Sequence, residues 1–274
     1  MRARVFLWLC AAAFIWSQPA SADTGKNPDE LERTWEGAWI FLPAPQHSDG
    51  FRRISMETLE RSLASREAAG EPALPIVIYA HGCSGHWRAT RVTGAALARA
   101  GYLVIAPDGF ARKTKPQSCD AATVRGGLHR AVLGWRQAEM GYAIKEARSL
   151  PGGDEAPVFL MGHSEGGITA ATYTGQPVDG RVVEGWTCHA GWPEYRGINA
   201  PEDEPVLTLV GDDDPWFQHP VLKGDCGAFM DGRANSRSWV LTAPSPLADE
   251  HWLSRDRSVQ AEIVSFLNSH RDGG

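Results

Sequence analysis

One short segment constrains this chain more than any other. Gly162-His163-Ser164-Glu165-Gly166-Gly167 directly follows the apolar run Val158-Phe159-Leu160-Met161. The run reads as a buried strand, and Ile168 to Thr174 is a small-residue stretch that suits a helix. Between them, G-x-S-x-G makes a sharp strand-to-helix turn. Glycines at 162 and 166 remove side chains that would collide where strand and helix cross. The serine sits on a strained backbone with its hydroxyl projecting from the turn. The helix's first turn offers free N–H groups and a positive dipole end to a developing negative charge. An ordinary Gly-rich strand–helix turn has the same composition, so the motif gains its meaning from candidate partner residues farther along the chain.

The chain begins with a short basic stretch, Met1-Arg2-Ala3-Arg4. An apolar run from Val5 to Trp16 comes next, then Ser17-Gln18-Pro19-Ala20-Ser21-Ala22. This pattern predicts a signal peptide over residues 1–22, with Cys10 removed along with it and the mature protein exported to the periplasm or beyond. An uncleaved anchor is the alternative, although the run is shorter than the roughly 20 residues of a membrane-spanning helix. No later stretch predicts a span. Residues 23–274 read as a single domain, a size that suits one large α/β core. Loss of Arg2 and Arg4 lowers the formal net charge from −6 to −8. Such a surface disfavours nucleic acid, whose phosphates need a basic patch.

Residues 23–34 read as a loose polar start. Strands are predicted at Trp35–Leu42, Ile76–Ala80, Tyr102–Ala106, Val158–Met161, Val182–Thr187, Val206–Val210 and Trp239–Thr242. Residues 54–69 are a helix or a mixed segment. Helices are predicted over Thr90–Ala100, over 123–149 (with Val124, Leu128, Val132, Trp135, Met140 and Ile144 toward the core), and from about Ser254 to Ser269 (with Val259, Ile263, Phe266 and Leu267 inward). Apolar strands alternating with helices predict an α/β fold: a mostly parallel central sheet covered by helices on both faces. Sites in such sheets form at the carboxyl ends of strands.

A serine hydroxyl needs a base, and the base needs an orienting group. For this type of turn the expected chain order is nucleophile, acid, histidine. The strand Val206–Val210 runs into Gly211-Asp212-Asp213-Asp214-Pro215. Asp214 is the preferred acid and Asp213 the next, since aspartates also serve simply to make turns. Nine histidines compete for the base. His251 lies in the loop between the last predicted strand and the last helix, a position that suits a base over Ser164. His270 is near the tail, His47 precedes the core, His129 falls in a predicted helix and His219 follows the acid too closely. His163 reads as packing, while His81, His86 and His189 are placed to line a pocket. Two backbone N–H groups should hold the oxyanion. One is that of Glu165. The other comes from the loop His81-Gly82-Cys83-Ser84-Gly85, with Cys83 as the candidate, although a plain Gly-rich turn reads the same way. No metal-ligand spacing appears, and no metal or other cofactor is implied.

Trp87, Trp186, Trp192, Trp216 and Trp252 fall in or beside loops at strand carboxyl ends. They predict either an aromatic-lined substrate site or packed loops. Cys83, Cys119, Cys188 and Cys226 remain after the signal. An even number in an exported chain points to disulfides over free buried thiols, and four cysteines allow three pairings. Loops from consecutive parallel strands emerge at one edge, which favours Cys83–Cys119 and Cys188–Cys226.

With these residues in view, the chain resembles the α/β-hydrolase superfamily over roughly residues 75–268, and within it the dienelactone-hydrolase-like group. The resemblance rests on Tyr79 to Gly85, Gly101 to Asp108, Gly162 to Gly167, and Gly211-x-x-Asp214 with His251. Typical members of that group carry a cysteine nucleophile, whereas Ser164 stands here, which puts dienelactone as substrate in doubt. His81-Gly82-Cys83 also looks like the loop of secreted polyester depolymerases and of feruloyl or acetyl esterases. The resemblance implies a serine hydrolase acting on a small-molecule carboxylic ester or lactone. A peptidase or amidase using the same residues, or a non-catalytic binding module on this fold, are the alternatives. Intact nucleophile, base and acid candidates speak against the binding module.

Overall fold

The computed structural model describes residues 25–271, so the signal-peptide reading of 1–22 lies outside the described residues. Ten strands and six α-helices follow in chain order. They are α1 (Pro28–Glu36), β1 (Trp39–Pro43), β2 (Phe51–Ile54), α2 (Met56–Ala68), β3 (Ile76–Ala80), α3 (Arg88–Arg99), β4 (Leu103–Ala106), β5 (Cys119–Asp120), β6 (Arg125–Gly126), α4 (Arg130–Arg148), β7 (Val158–His163), α5 (Glu165–Thr172), β8 (Gly180–Glu184), β9 (Val206–Gly211), β10 (Arg237–Leu241) and α6 (Arg257–Ser269). Eight strands form one sheet in the order β10-β9-β8-β7-β3-β4-β1-β2. It is parallel from β10 to β4, and β1 and β2 join antiparallel at one edge.

The central strands β3 and β4 are apolar throughout because both faces are covered. Side chains alternate across a strand, and the core divides accordingly. Ile76, Ile78 and Ala80 of β3 join Leu103 and Ile105 of β4, Val158 and Leu160 of β7, and Met140, Ala143 and Ile144 of α4. The alternate residues Val77 and Tyr79, Val104, Phe159 and Met161 face Ala95 and Leu97 of α3 and Val259, Ile263, Phe266 and Leu267 of α6. The inward set expected for the last helix is therefore the one observed. None of the described helices is long and apolar enough to cross a membrane.

Four local expectations change. Residues 28–36 form a helix instead of a loose start: the Asn27 side chain accepts from Asp29 N–H at 3.1 Å, Pro28 opens the helix, and Leu31 and Trp35 bury one stripe. Trp35 thus belongs to α1, and the strand begins at Trp39. The strand β2 escapes the periodicity because its central arginines face solvent at the sheet edge. The helix expected from 123 starts at Arg130, with His129 at its N-cap. Residues 119–126 form a β5–β6 hairpin in which Val124 is exposed with φ 52°, instead of contributing to the core. Residues 127–129 link the hairpin to the helix. The paired loops expected to share disulfides do so: Cys83–Cys119 spans 5.8 Å between Cα atoms and Cys188–Cys226 spans 4.9 Å.

Two histidines bear on acid stability. His86 stacks on Trp39 at 4.6 Å, and burial, then Arg136, lowers it to about 3. Burial, then His251, holds His163 near 3 as well. An unfolded histidine takes its proton near pH 6.5, so below that pH the unfolded chain binds more protons than the fold. Their contribution is complete above about pH 6.5 and is lost as pH falls toward 3. Chemical denaturation across pH 3–8 is expected to show this loss. His86→Phe, which keeps a ring against Trp39, is expected to remove on the order of a few kcal/mol of it at pH 3. Parallel pH dependences for wild type and variant would contradict the assignment.

Candidate active site

The strand β7 ends at His163 and α5 starts at Glu165, which leaves Ser164 as the whole turn, at φ 60° and ψ −121°. Positive φ is strained for a serine, and the surroundings leave it no alternative. A Cβ on Gly162 would lie 1.9 Å from the Gly166 carbonyl oxygen, and one on Gly166 would lie 1.9 Å from that of Ala80. Both glycines are thus required by backbone contact among β3, β7 and α5. Ser164 N–H donates to the Glu184 carbonyl at 2.9 Å, which fixes the turn to β8.

Beyond β9 the three aspartates separate. Asp212 and Asp213 are exposed, and their N–H groups donate to Leu241 and Ala248 carbonyls. Asp214 is fully buried, and its Oδ2 accepts from His251 Nδ1–H at 2.6 Å. Its Oδ1 accepts from Trp216 N–H at 3.0 Å. With Nδ1 carrying the proton, Nε2 of His251 is the basic nitrogen. It is buried and has no hydrogen-bond partner among the described residues.

The loop carrying His251 is held from several sides. His163 Nε2–H donates to the His251 carbonyl at 3.2 Å, and Trp216 stacks on the His251 ring at 5.3 Å. A Cβ on Gly185 would lie 2.9 Å from the His251 carbonyl. Three residues on, Ser254 donates to the buried Glu184 carboxylate through its N–H at 2.5 Å and its hydroxyl at 2.9 Å. Burial raises Glu184 to about 7 against the opposing pull of those bonds. Sequence reasoning misses Glu184. Its only signal is an acid closing the apolar strand Val182-Val183.

Gly82 places its Cα hydrogen where a Cβ would be 3.4 Å from Ser164 Cβ, so the loop after β3 abuts the serine. Cys83 and Glu165 line one cavity with Ser164 and His251. His81 serves this loop from below instead of lining the cavity. Its Nδ1–H donates to the Gly82 carbonyl at 2.7 Å, and its Nε2 accepts from Gly109 N–H at 3.1 Å and Arg136 at 3.0 Å. Burial, then Arg136, keeps it neutral, well below the usual histidine range. Arg136 also donates to the His81 carbonyl at 3.1 Å and pairs with buried Glu139 at 2.6 Å, which Arg112 meets from the other side at 2.5 Å.

The cavity measures about 420 Å³. Trp186, Trp192 and Trp216 line it as expected, together with Tyr195, Phe217, Ile168 and Leu222. Trp87 and Trp252 do not: they pack on each other at 5.3 Å, and Trp252 Nε1–H donates to Ser254 Oγ. His86 and His189 also lie away from the cavity, whereas His219, set aside as a base, forms part of its wall. Single Asn substitutions at 212, 213 and 214 test the acid. Asp214→Asn is expected to lower kcat on an activated ester by about 10⁴-fold, and the other two by far less. A larger loss at Asp213 would reassign the acid.

No curated protein sequence matches the chain. Among solved structures it is similar to TT1662 from Thermus thermophilus, at 16% identity over 73% of this chain and 90% of that chain, with a TM-score of 0.50. It is also similar to Est1E from Butyrivibrio proteoclasticus with ferulic acid bound, at 12% identity over 85% and 94%, with a TM-score of 0.50. At these identities the likeness is one of fold, a mostly parallel sheet with helices on its faces. The family model of the dienelactone hydrolase family matches residues 61–225, a stretch that holds Ser164 and Asp214 and ends before His251. That match covers more than half of the 274 residues, and the chain belongs to the dienelactone hydrolase family.

Proposed function

We propose that this family member is an exported serine hydrolase that opens a carboxylic ester or lactone through an acyl-enzyme on Ser164. The observation that carries the reading is the buried Asp214–His251 hydrogen bond of 2.6 Å, with His251 lining the same cavity as a serine held at φ 60°. Ser164 Oγ attacks the carbonyl carbon while His251 Nε2 takes its proton. Asp214 keeps Nδ1 protonated and stabilises the imidazolium. Charge on the carbonyl oxygen is met by the N–H groups of Cys83 and Glu165. The tetrahedral intermediate collapses as His251 returns the proton to the departing alkoxide. A water, deprotonated by His251, then releases the acid and restores Ser164. In a lactone the departing oxygen stays tethered to the acyl group. Export is supported by the leader-like first 22 residues and is compatible with two disulfides.

Ser164→Ala is expected to lower kcat by about 10⁶-fold and to abolish fluorophosphonate labelling, with an unchanged circular dichroism spectrum. Near-wild-type turnover would exclude the serine mechanism. The aromatic wall favours a bulky acyl group. Trp192→Ala is expected to cost about tenfold in kcat/KM on aromatic esters and little on acetyl esters, the scale of partial loss of an apolar contact. Equal losses on both would assign Trp192 to packing alone.

A further inference from the structure

The two residues proposed to donate N–H groups to the oxyanion follow different strands. Cys83 follows β3 and Glu165 follows β7. Their side chains nevertheless reach neighbouring residues of one segment. Cys83 is bonded to Cys119, and the Glu165 carboxylate accepts a hydrogen bond from Ser118 Oγ. Ser118 is buried, and Glu165 also lies 3.9 Å from Arg136 Nε. From Cys119 the chain enters the β5–β6 hairpin, in which Cys119 pairs with Gly126 and Asp120 with Arg125. Asp120 ties its tip by accepting from Ala122 N–H at 3.0 Å and Thr123 Oγ1–H at 2.8 Å. The hairpin's far strand walls the cavity with Val124, Arg125 and Gly126. At Gly126 a Cβ would stand 3.7 Å from the Trp216 ring, the same ring that stacks on His251.

We propose that residues 118–126 form a strap that sets the oxyanion hole, with Ser118 and Cys119 as its positioning residues. The strap is fastened to both donors, so it fixes their separation. Its free strand walls the cavity, so the element that meets the substrate also aligns the donors. This inference rests on Ser164 as nucleophile and on Cys83 and Glu165 as oxyanion donors.

The second disulfide supplies an internal control. Cys83–Cys119 and Cys188–Cys226 close segments of nearly equal length, with separations of 36 and 38 residues. In the chain-entropy model the two stabilise the fold about equally. Steady-state hydrolysis of p-nitrophenyl acetate and butyrate, well below each variant's unfolding temperature, separates positioning from stability. Ser118→Ala and the pair Cys83→Ser/Cys119→Ser are each expected to lower kcat about 10- to 100-fold with KM little changed, the scale of a weakened oxyanion donor. Ser118→Thr, which keeps the hydroxyl, is expected to recover most of the loss. Cys188→Ser/Cys226→Ser is expected to lower the melting temperature comparably and leave kcat within about twofold. Wild-type kcat in either strap variant, or an equal kcat loss in the control pair, overturns the strap. Failure of the underlying reading is distinct: it appears as activity that survives Ser164→Ala.

Discussion

Everything at the site depends on three backbones meeting with no side chain between them. The strands β3 and β7 and the helix α5 touch at Ala80, Gly162 and Gly166, where a single added Cβ would overlap a carbonyl oxygen at 1.9 Å. That contact turns the chain from strand to helix in one residue and leaves Ser164 with no conformation but its positive φ. The strain is a local cost. The buried apolar strands on either side oppose it, because relaxing the turn would move β7 out of register with β3 and β8.

The proposed base is located by a different means. His251 sits in a loop, and loops hold a geometry only when other groups impose it. Here β8 supplies most of the constraint. The Glu184 carbonyl receives Ser164 N–H, and the Glu184 carboxylate receives the N–H and hydroxyl of Ser254. Gly185 lets the His251 backbone pass close by, and His163, inside the elbow, donates to the His251 carbonyl. Ser164 and the loop carrying His251 are thus both tied to a single residue, Glu184.

Beneath the loop after β3, proposed to hold the oxyanion, lies a buried chain of charge, Arg112–Glu139–Arg136, ending on neutral His81. Burying these groups is costly and adds little net stability compared with apolar packing. What the arrangement does is orient peptides. Arg136 holds the His81 carbonyl, and His81 holds that of Gly82. Both carbonyls of the loop after β3 are thereby fixed.

Much of this was legible in the residues themselves. The strand Ile76–Ala80 has the bounds its apolar run predicts, and the elbow needs its two glycines wherever it occurs. Asp214 and His251 follow from chain order and loop position, and the disulfide partners from adjacent parallel strands. Such features are written within a few residues, as hydrophobic period, steric permission or turn chemistry. Only the tertiary structure decided the rest. Glu184 meets Ser254 across 70 residues, and Arg136 meets His81 across 55. Nothing near any of them in sequence marks the partner. The same holds for the tryptophans: all five lie by strand ends, but three face the cavity while Trp87 and Trp252 face each other. A polar or aromatic side chain takes its role from what lies opposite after folding, and that is set by how the sheet and its helices bring distant loops to one edge.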